Sequence, residues 1–147
     1  MTKKSLKYNA LIASMEISGD CPSLTCSKPQ LEAFRWVTLP VDESLNYLPN
    51  ILRNQAKGRP ARSHWPDDTF KCSCCGLSMF TSKEAAVHKF SSIPELNRKK
   101  LGFTHVARAT ITLDHGLASI PNREGHFDFF EYEDFDTVAS FKLDSSL

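Results

Sequence analysis

Two cysteine pairs have the spacing that could do chemistry: Cys21 and Cys26 with four residues between them, and Cys72 and Cys75 as a C-x-x-C followed by Gly76. A C-x-x-C turn aims two thiolates at one ion, and a following glycine permits the tight bend. Together the pairs predict a tetrahedral zinc with four thiolate ligands, tying the N-terminal loop to the segment after residue 76. Such a closed shell has no open position, so the ion would be structural. Cys74, His64 or His88 could stand in for one ligand. The competing reading is that these thiols are core residues, because free cysteine packs as a small hydrophobe.

The five histidines offer a second metal chemistry. His105, His115 and His126 fall among predicted strands, with Asp114 and Asp128 close to two of them, and imidazole with carboxylate can hold zinc or manganese. No H-E-x-x-H is present, and His105 on an apolar strand face reads more simply as a core residue. The segment HFDFFEYEDFD (126–136) alternates aromatic rings with acids. Because Phe129 and Phe130 are neighbours on a strand, their rings point to opposite faces, and one of them needs a second layer or a partner. Phe129, Phe130 and Tyr132 are therefore the candidate partner-binding residues.

At 147 residues with 41% hydrophobic and 24% charged side chains, the chain can bury one core and is not disordered by composition. Its longest aliphatic run, Ala10-Leu11-Ile12-Ala13, is too short for a membrane span or the apolar stretch of a signal peptide. An odd cysteine count suits a reducing cytoplasm. Charge is segregated. Residues 1–108 carry 16 Lys/Arg against 9 Asp/Glu, and residues 109–147 carry 2 against 8. Opposite poles can steer a charged partner or complement each other within one fold. A net charge of +1 lacks the general basic surplus of a nucleic-acid binder, so Arg53, Lys57, Arg59, Arg62 and Lys99 make that a subordinate reading.

These residues must be positioned by elements, and periodicity supplies them. Tyr8, Leu11, Ile12 and Met15 form one helical stripe, stopped near Gly19. LEAFRWVTL (31–39) reads as a strand closed by Pro40. Asp42 opens a short helix, Pro49 interrupts it, and a second short helix ends near Gly58. Residues 58–69 read as a long loop. GLSMFT (76–81) reads as a strand, Ser82 caps the helix that follows, and another short helix runs from Pro94 to Gly102. Strands are predicted over 103–113, 117–120, 126–132 and 138–143. The order gives a single α+β domain over residues 1–147, with an N-terminal helix and short helices on a mixed or antiparallel sheet and a strand-rich C-terminal half.

Arg35 inside Phe34-Arg35-Trp36, the strand-to-helix run GLSMFTSKEAA (76–86) and Glu131-Tyr132-Glu133 resemble the Arg, Ser/Thr and Glu elements of bacterial ADP-ribosyltransferase-like, toxin-type domains. The resemblance spans about two thirds of the chain on few positions. It implies that Arg35 grips the pyrophosphate of NAD, that Ser78 or Thr81 orders the pocket, and that Glu131 or Glu133 serves the ribose. A carboxylate there would stabilise an oxocarbenium-like state, as in glycoside cleavage.

The sequence favours a small cytoplasmic interaction or regulatory module, stapled by zinc, acting on a protein partner or a second copy of itself. Its candidate surfaces are the acidic–aromatic C-terminal part and the basic loop at 53–65. The alternatives are an NAD-using transferase on Arg35, Ser78, Glu131 and Glu133, and a nucleic-acid-binding module.

Overall fold

In a computed structural model, residues 4–58 and 67–147 are described. Six strands form one antiparallel sheet: β1 (Leu31–Val37), β2 (Leu77–Phe80), β3 (His105–Ile111), β4 (Gly116–Ala118), β5 (His126–Glu131) and β6 (Lys142–Ser146), in the spatial order β4-β5-β2-β1-β3-β6. The helices are α1 (Asn9–Ser14), α2 (Asn50–Ala56), α3 (Asp68–Ser73), α4 (Lys83–Ser92), α5 (Glu95–Leu101) and α6 (Thr137–Ser140), with a 3-10 turn at Ser44–Tyr47. This is the expected α+β class, with the sheet antiparallel throughout. No described helix is long and apolar enough to cross a membrane.

Strand alternation sorts side chains into two layers. Ala33 and Val37 of β1, Leu77 and Met79 of β2, Ala107 and Ala109 of β3, and Phe127 and Phe129 of β5 share one face, closed by Tyr47, Phe135 and Phe141. Phe34, Phe80 and Val106 point to the other face, where Ala86 of α4 packs on them. The Trp36 ring joins that second layer and donates from its indole nitrogen to the Ala86 carbonyl at 2.9 Å. A third cluster gathers Ile51, Cys74 and Cys75 with Leu11, Ile12, Met15 and Phe70, where α1, α2 and α3 meet.

Local signals acted as expected at several ends. The Ser82 side chain accepts from the Ala85 amide at the start of α4, and Gly102 takes a left-handed φ of 73° past α5. Two stretches differ from the sequence reading. The loop expected over 58–69 falls mainly on residues 59–66, which lie outside the described residues; at its far end α3 begins at Asp68, because the Asp67 carboxylate caps it by accepting from the Phe70 amide. The strand expected over 138–143 is α6 followed by β6, because Asp136 caps a turn of helix by accepting from the Ala139 amide. The charged poles complement each other: Lys4–Asp134, Lys7–Glu131, Lys89–Glu124 and Arg108–Asp144 pair the basic part of the chain with the acidic part.

Candidate functional site

Ser78 at the middle of β2 lies directly across from Asp128 of β5, and Phe80 lies across from His126. Alternation then puts Ser78, His126 and Asp128 on one sheet face, the face that carries Phe34 and Trp36. There Ser78 Oγ and His126 Nε2 are 2.5 Å apart. Burial pushes the His126 pKa below its ordinary value, and the Asp128 charge opposes that push. Burial lifts the Asp128 carboxyl, while His126 and a hydrogen bond from Ser73 draw it back down. A histidine ring nitrogen within hydrogen-bond reach of a serine hydroxyl is a pairing that can activate the serine, and the Asp128 charge favours the imidazolium.

Two cavities meet this pair. His126 and Asp128 line one of about 610 Å³, together with Cys26, Ser73 and Phe130. Ser78 lines another of about 120 Å³ with Arg35, Arg53, Asn50 and the rings of Trp36 and Phe103. Ser78 and His126 thus border different cavities.

Arg35 is buried on β1, its Nε donating to the Asn46 carbonyl at 2.7 Å and its Nη1 to the Ser78 carbonyl at 2.5 Å. Burial, then the charge of Arg53, lowers its pKa to about 10, with Glu131 opposing. Glu131 is buried at the end of β5. Its Oε2 accepts from Lys7 Nζ at 2.8 Å and from the Thr137 hydroxyl, and its Oε1 has no hydrogen-bond partner among the described residues. It lines a third cavity of about 410 Å³ with Tyr8, Tyr47 and the exposed Glu133. Burial raises both phenols to about 12, so they are neutral donors at physiological pH.

Arg35, Ser78 and Glu131 are thus gathered on three adjacent strands, β1, β2 and β5. Arg35 reaches the main chain of Ser78 and feels Glu131 electrostatically, whereas Glu133 sits on an exposed rim.

The cysteines differ from the zinc expectation. Cys21 and Cys72 converge, with Cα atoms 5.7 Å apart, but as a disulfide. Cys26 is a half-buried free thiol beside the same cavity as Cys72, with its pKa raised chiefly by burial. Cys75 lies with Cys74 in the apolar cluster under α1 and α2, where burial raises its pKa to about 11. The donor set therefore does not fit a four-thiolate ion: two sulfurs are bonded to each other and the fourth points into a different layer. Among the described residues no group of three or more His, Cys, Asp or Glu could hold a metal. His115 instead accepts from the Thr112 amide and stacks on Phe135, and His105 bonds to the Thr104 hydroxyl. His64, Arg59 and Arg62 lie outside the described residues.

The partner-binding expectation also needs correction. Phe129, Phe130 and Tyr132 are 0%, 5% and 8% exposed, so none presents a ring to a partner. Phe129 fills the main layer. Phe130 points the other way, as its neighbour requires, but its second layer is internal, with Gly76 against its ring. Arg53, assigned to the basic loop, is buried as well and stacks over Phe103 at 4.4 Å.

Sequence reasoning singled out Ser78 and His126 separately and did not join them. Asn50 and the buried role of Arg53 gave no recognisable signal. Comparison with protein-family models, curated proteins and solved structures finds no match for this chain.

Proposed function

We propose that this protein is a small hydrolase of carboxylic esters, with Ser78 as nucleophile and His126 as its general base. The reading is carried by the 2.5 Å approach of Ser78 Oγ to His126 Nε2, with Asp128 two residues along on the same strand face and acting on the imidazole through its charge. Ser78 Oγ attacks the ester carbonyl carbon while its proton passes to His126 Nε2. The tetrahedral intermediate then collapses, the alkoxide leaves with that proton, and the acyl group remains on Ser78. Water attacks the acyl-serine, gives its proton to His126, and releases the acid with the hydroxyl restored. Asp128 stabilises the imidazolium at both stages.

The other readings have less support. An NAD transferase needs the Arg35 fork for a pyrophosphate, and two of its donors are engaged by main-chain carbonyls. An interaction module loses the three aromatic anchors assigned to it, which are interior. A structural zinc would require Cys21 and Cys72 as thiolates, hence a reduced protein. On the compartment, the Cys21–Cys72 bond favours an oxidising environment over the reducing cytoplasm that the odd cysteine count suggests, and alkylation of cell extracts before and after reduction tests this.

The test is a serine-directed fluorophosphonate combined with turnover of p-nitrophenyl acetate by the full chain. The expected result is covalent labelling at Ser78, and a fall in turnover of at least about a hundredfold in Ser78→Ala and His126→Ala. Labelling elsewhere, or a Ser78→Ala variant that keeps its rate, overturns the proposal.

A further inference from the structure

We propose that the two cavities divide the ester between them. The one bordered by Ser78 takes the acyl part and admits only short acyl chains, and the larger one bordered by His126 takes the alcohol. This deepens the hydrolase reading and rests on it.

The bonds formed and broken decide which part goes where. Once the alkoxide has left, the acyl carbon is bonded to Ser78 Oγ, so the acyl chain must occupy space that Ser78 borders. The leaving oxygen takes its proton from His126 Nε2, so the alcohol must lie on the histidine's side. The fold offers one space to each residue. Ser78 lines the cavity of about 120 Å³, and His126 lines the cavity of about 610 Å³. Oγ and Nε2 are 2.5 Å apart, so a carbonyl carbon at Ser78 has its two substituents next to the two spaces.

Size then sets the substrate class. A cavity of about 150 Å³ holds one benzene ring, so a space of about 120 Å³ takes a chain of roughly four carbons. Its walls are held in place. Trp36 and Phe80 belong to the sheet face of Ser78, and the Trp36 indole is tied to the Ala86 carbonyl. The Trp36 ring packs on Phe80 and Phe103 with centroids 5.2 and 5.9 Å away. Arg35 is fastened to the carbonyls of Asn46 and Ser78. Walls packed and bonded in this way do not swing aside for a longer chain without losing those contacts. Leu101 lines the same space from the end of α5, outside the sheet, so truncating it enlarges the cavity without disturbing the strands. The alcohol side, at about 610 Å³, imposes no such limit on a bicyclic alcohol.

The experiment measures kcat/KM of the full chain for p-nitrophenyl esters from acetate to octanoate, in the parent, Ser78→Ala, Leu101→Ala and the control Leu96→Ala, whose side chain is exposed. The expected profile holds through butyrate and falls at least about tenfold by octanoate, because a single methylene too many in a fitted pocket already costs roughly 10–200-fold. Leu101→Ala should raise the octanoate-to-acetate ratio at least about tenfold, and Leu96→Ala should leave the profile as it is. On the other side, 4-methylumbelliferyl acetate, with its bulkier alcohol, should be turned over within about tenfold of p-nitrophenyl acetate. Should Leu101→Ala fail to fold, Phe103→Leu must move the ratio in the same direction. Ser78-dependent turnover that is indifferent to acyl length, a ratio unmoved by the pocket variants, or a strong limit on alcohol size overturns the assignment of cavities and leaves the hydrolase. Turnover that persists in Ser78→Ala overturns the hydrolase, and the assignment with it.

Discussion

Asp128 sits partly inside the protein next to His126, and the fold raises its carboxyl pKa. At a pH above both its folded and unfolded pKa values the group is ionised in both states, and the ionised form is the one the fold disfavours. Asp128→Asn removes that penalty. The variant should melt a few degrees higher than the parent at pH 7, and ester turnover should fall at least tenfold, because the imidazolium loses its counter-charge. The gain in melting temperature should vanish below about pH 3.9, where the unfolded carboxyl is also protonated. His126 has the opposite sign. Its folded pKa is depressed, so the unfolded chain takes up that proton first, and acidification through about pH 6.5 weakens the fold. The acid limb of kcat/KM should therefore have its midpoint below about 6.5, and a limb centred above that value would contradict a buried base. Ser78 and His126 were each legible as chemistry-bearing residues, and Asp128 was legible as an acid close to His126 in sequence. Their meeting was not legible, because 48 residues separate them and only the register of β2 on β5 joins them.

Elements bounded by local chemistry were the most readable. Ser82, Pro94 and Gly102 announce their helix ends by side-chain type alone, and β1 and β3 follow from β-branched and aromatic runs. Where two local rules competed, the reading failed. The residues after Asp136 look extended by composition, but a carboxylate that can cap the following amides turns Thr137–Ser140 into helix first. The acids and aromatics of β5 suggested an outward surface because sequence alone does not show that β2 and β4 flank that strand on both sides. Gly116 opens β4 opposite Glu131, and a Cβ placed there would lie 2.4 Å from the Phe130 carbonyl oxygen and 2.8 Å from the Phe129 ring. Backbone and a packed core ring cannot both yield, so Gly116→Ala should cost about 2–3 kcal/mol in denaturant unfolding and loosen β4 from β5. Amide exchange should accelerate in Gly116–Ala118 and not in β3.

For the whole molecule, the bond between Cys21 and Cys72 joins positions 51 apart, bringing the N-terminal loop to α3. Closing a loop of that length removes about 4 kcal/mol of unfolded-state entropy, a large share of the roughly 5–15 kcal/mol that holds a domain together. Reductant should lower the unfolding midpoint accordingly, and Cys21→Ser with Cys72→Ser should match the reduced parent and be insensitive to reductant. The prediction that positions near 21 and 72 lie side by side was legible from cysteine spacing. The bond between them was not, since the same spacing serves a shared ion equally well.

The strand order has a consequence for the protein's own birth. β1 lies inside the sheet, yet its flanking strands β2 and β3 come later in the chain, the second of them ending at Ile111. On a ribosome adding about 5–20 residues per second, Leu31–Val37 emerges roughly 4–15 s before both its neighbours have been made. For that interval an apolar ribbon with bare edges depends on the exit-tunnel surface and on holding chaperones, so synthesis speed over residues 38–111 should govern how much of the newborn polypeptide escapes aggregation.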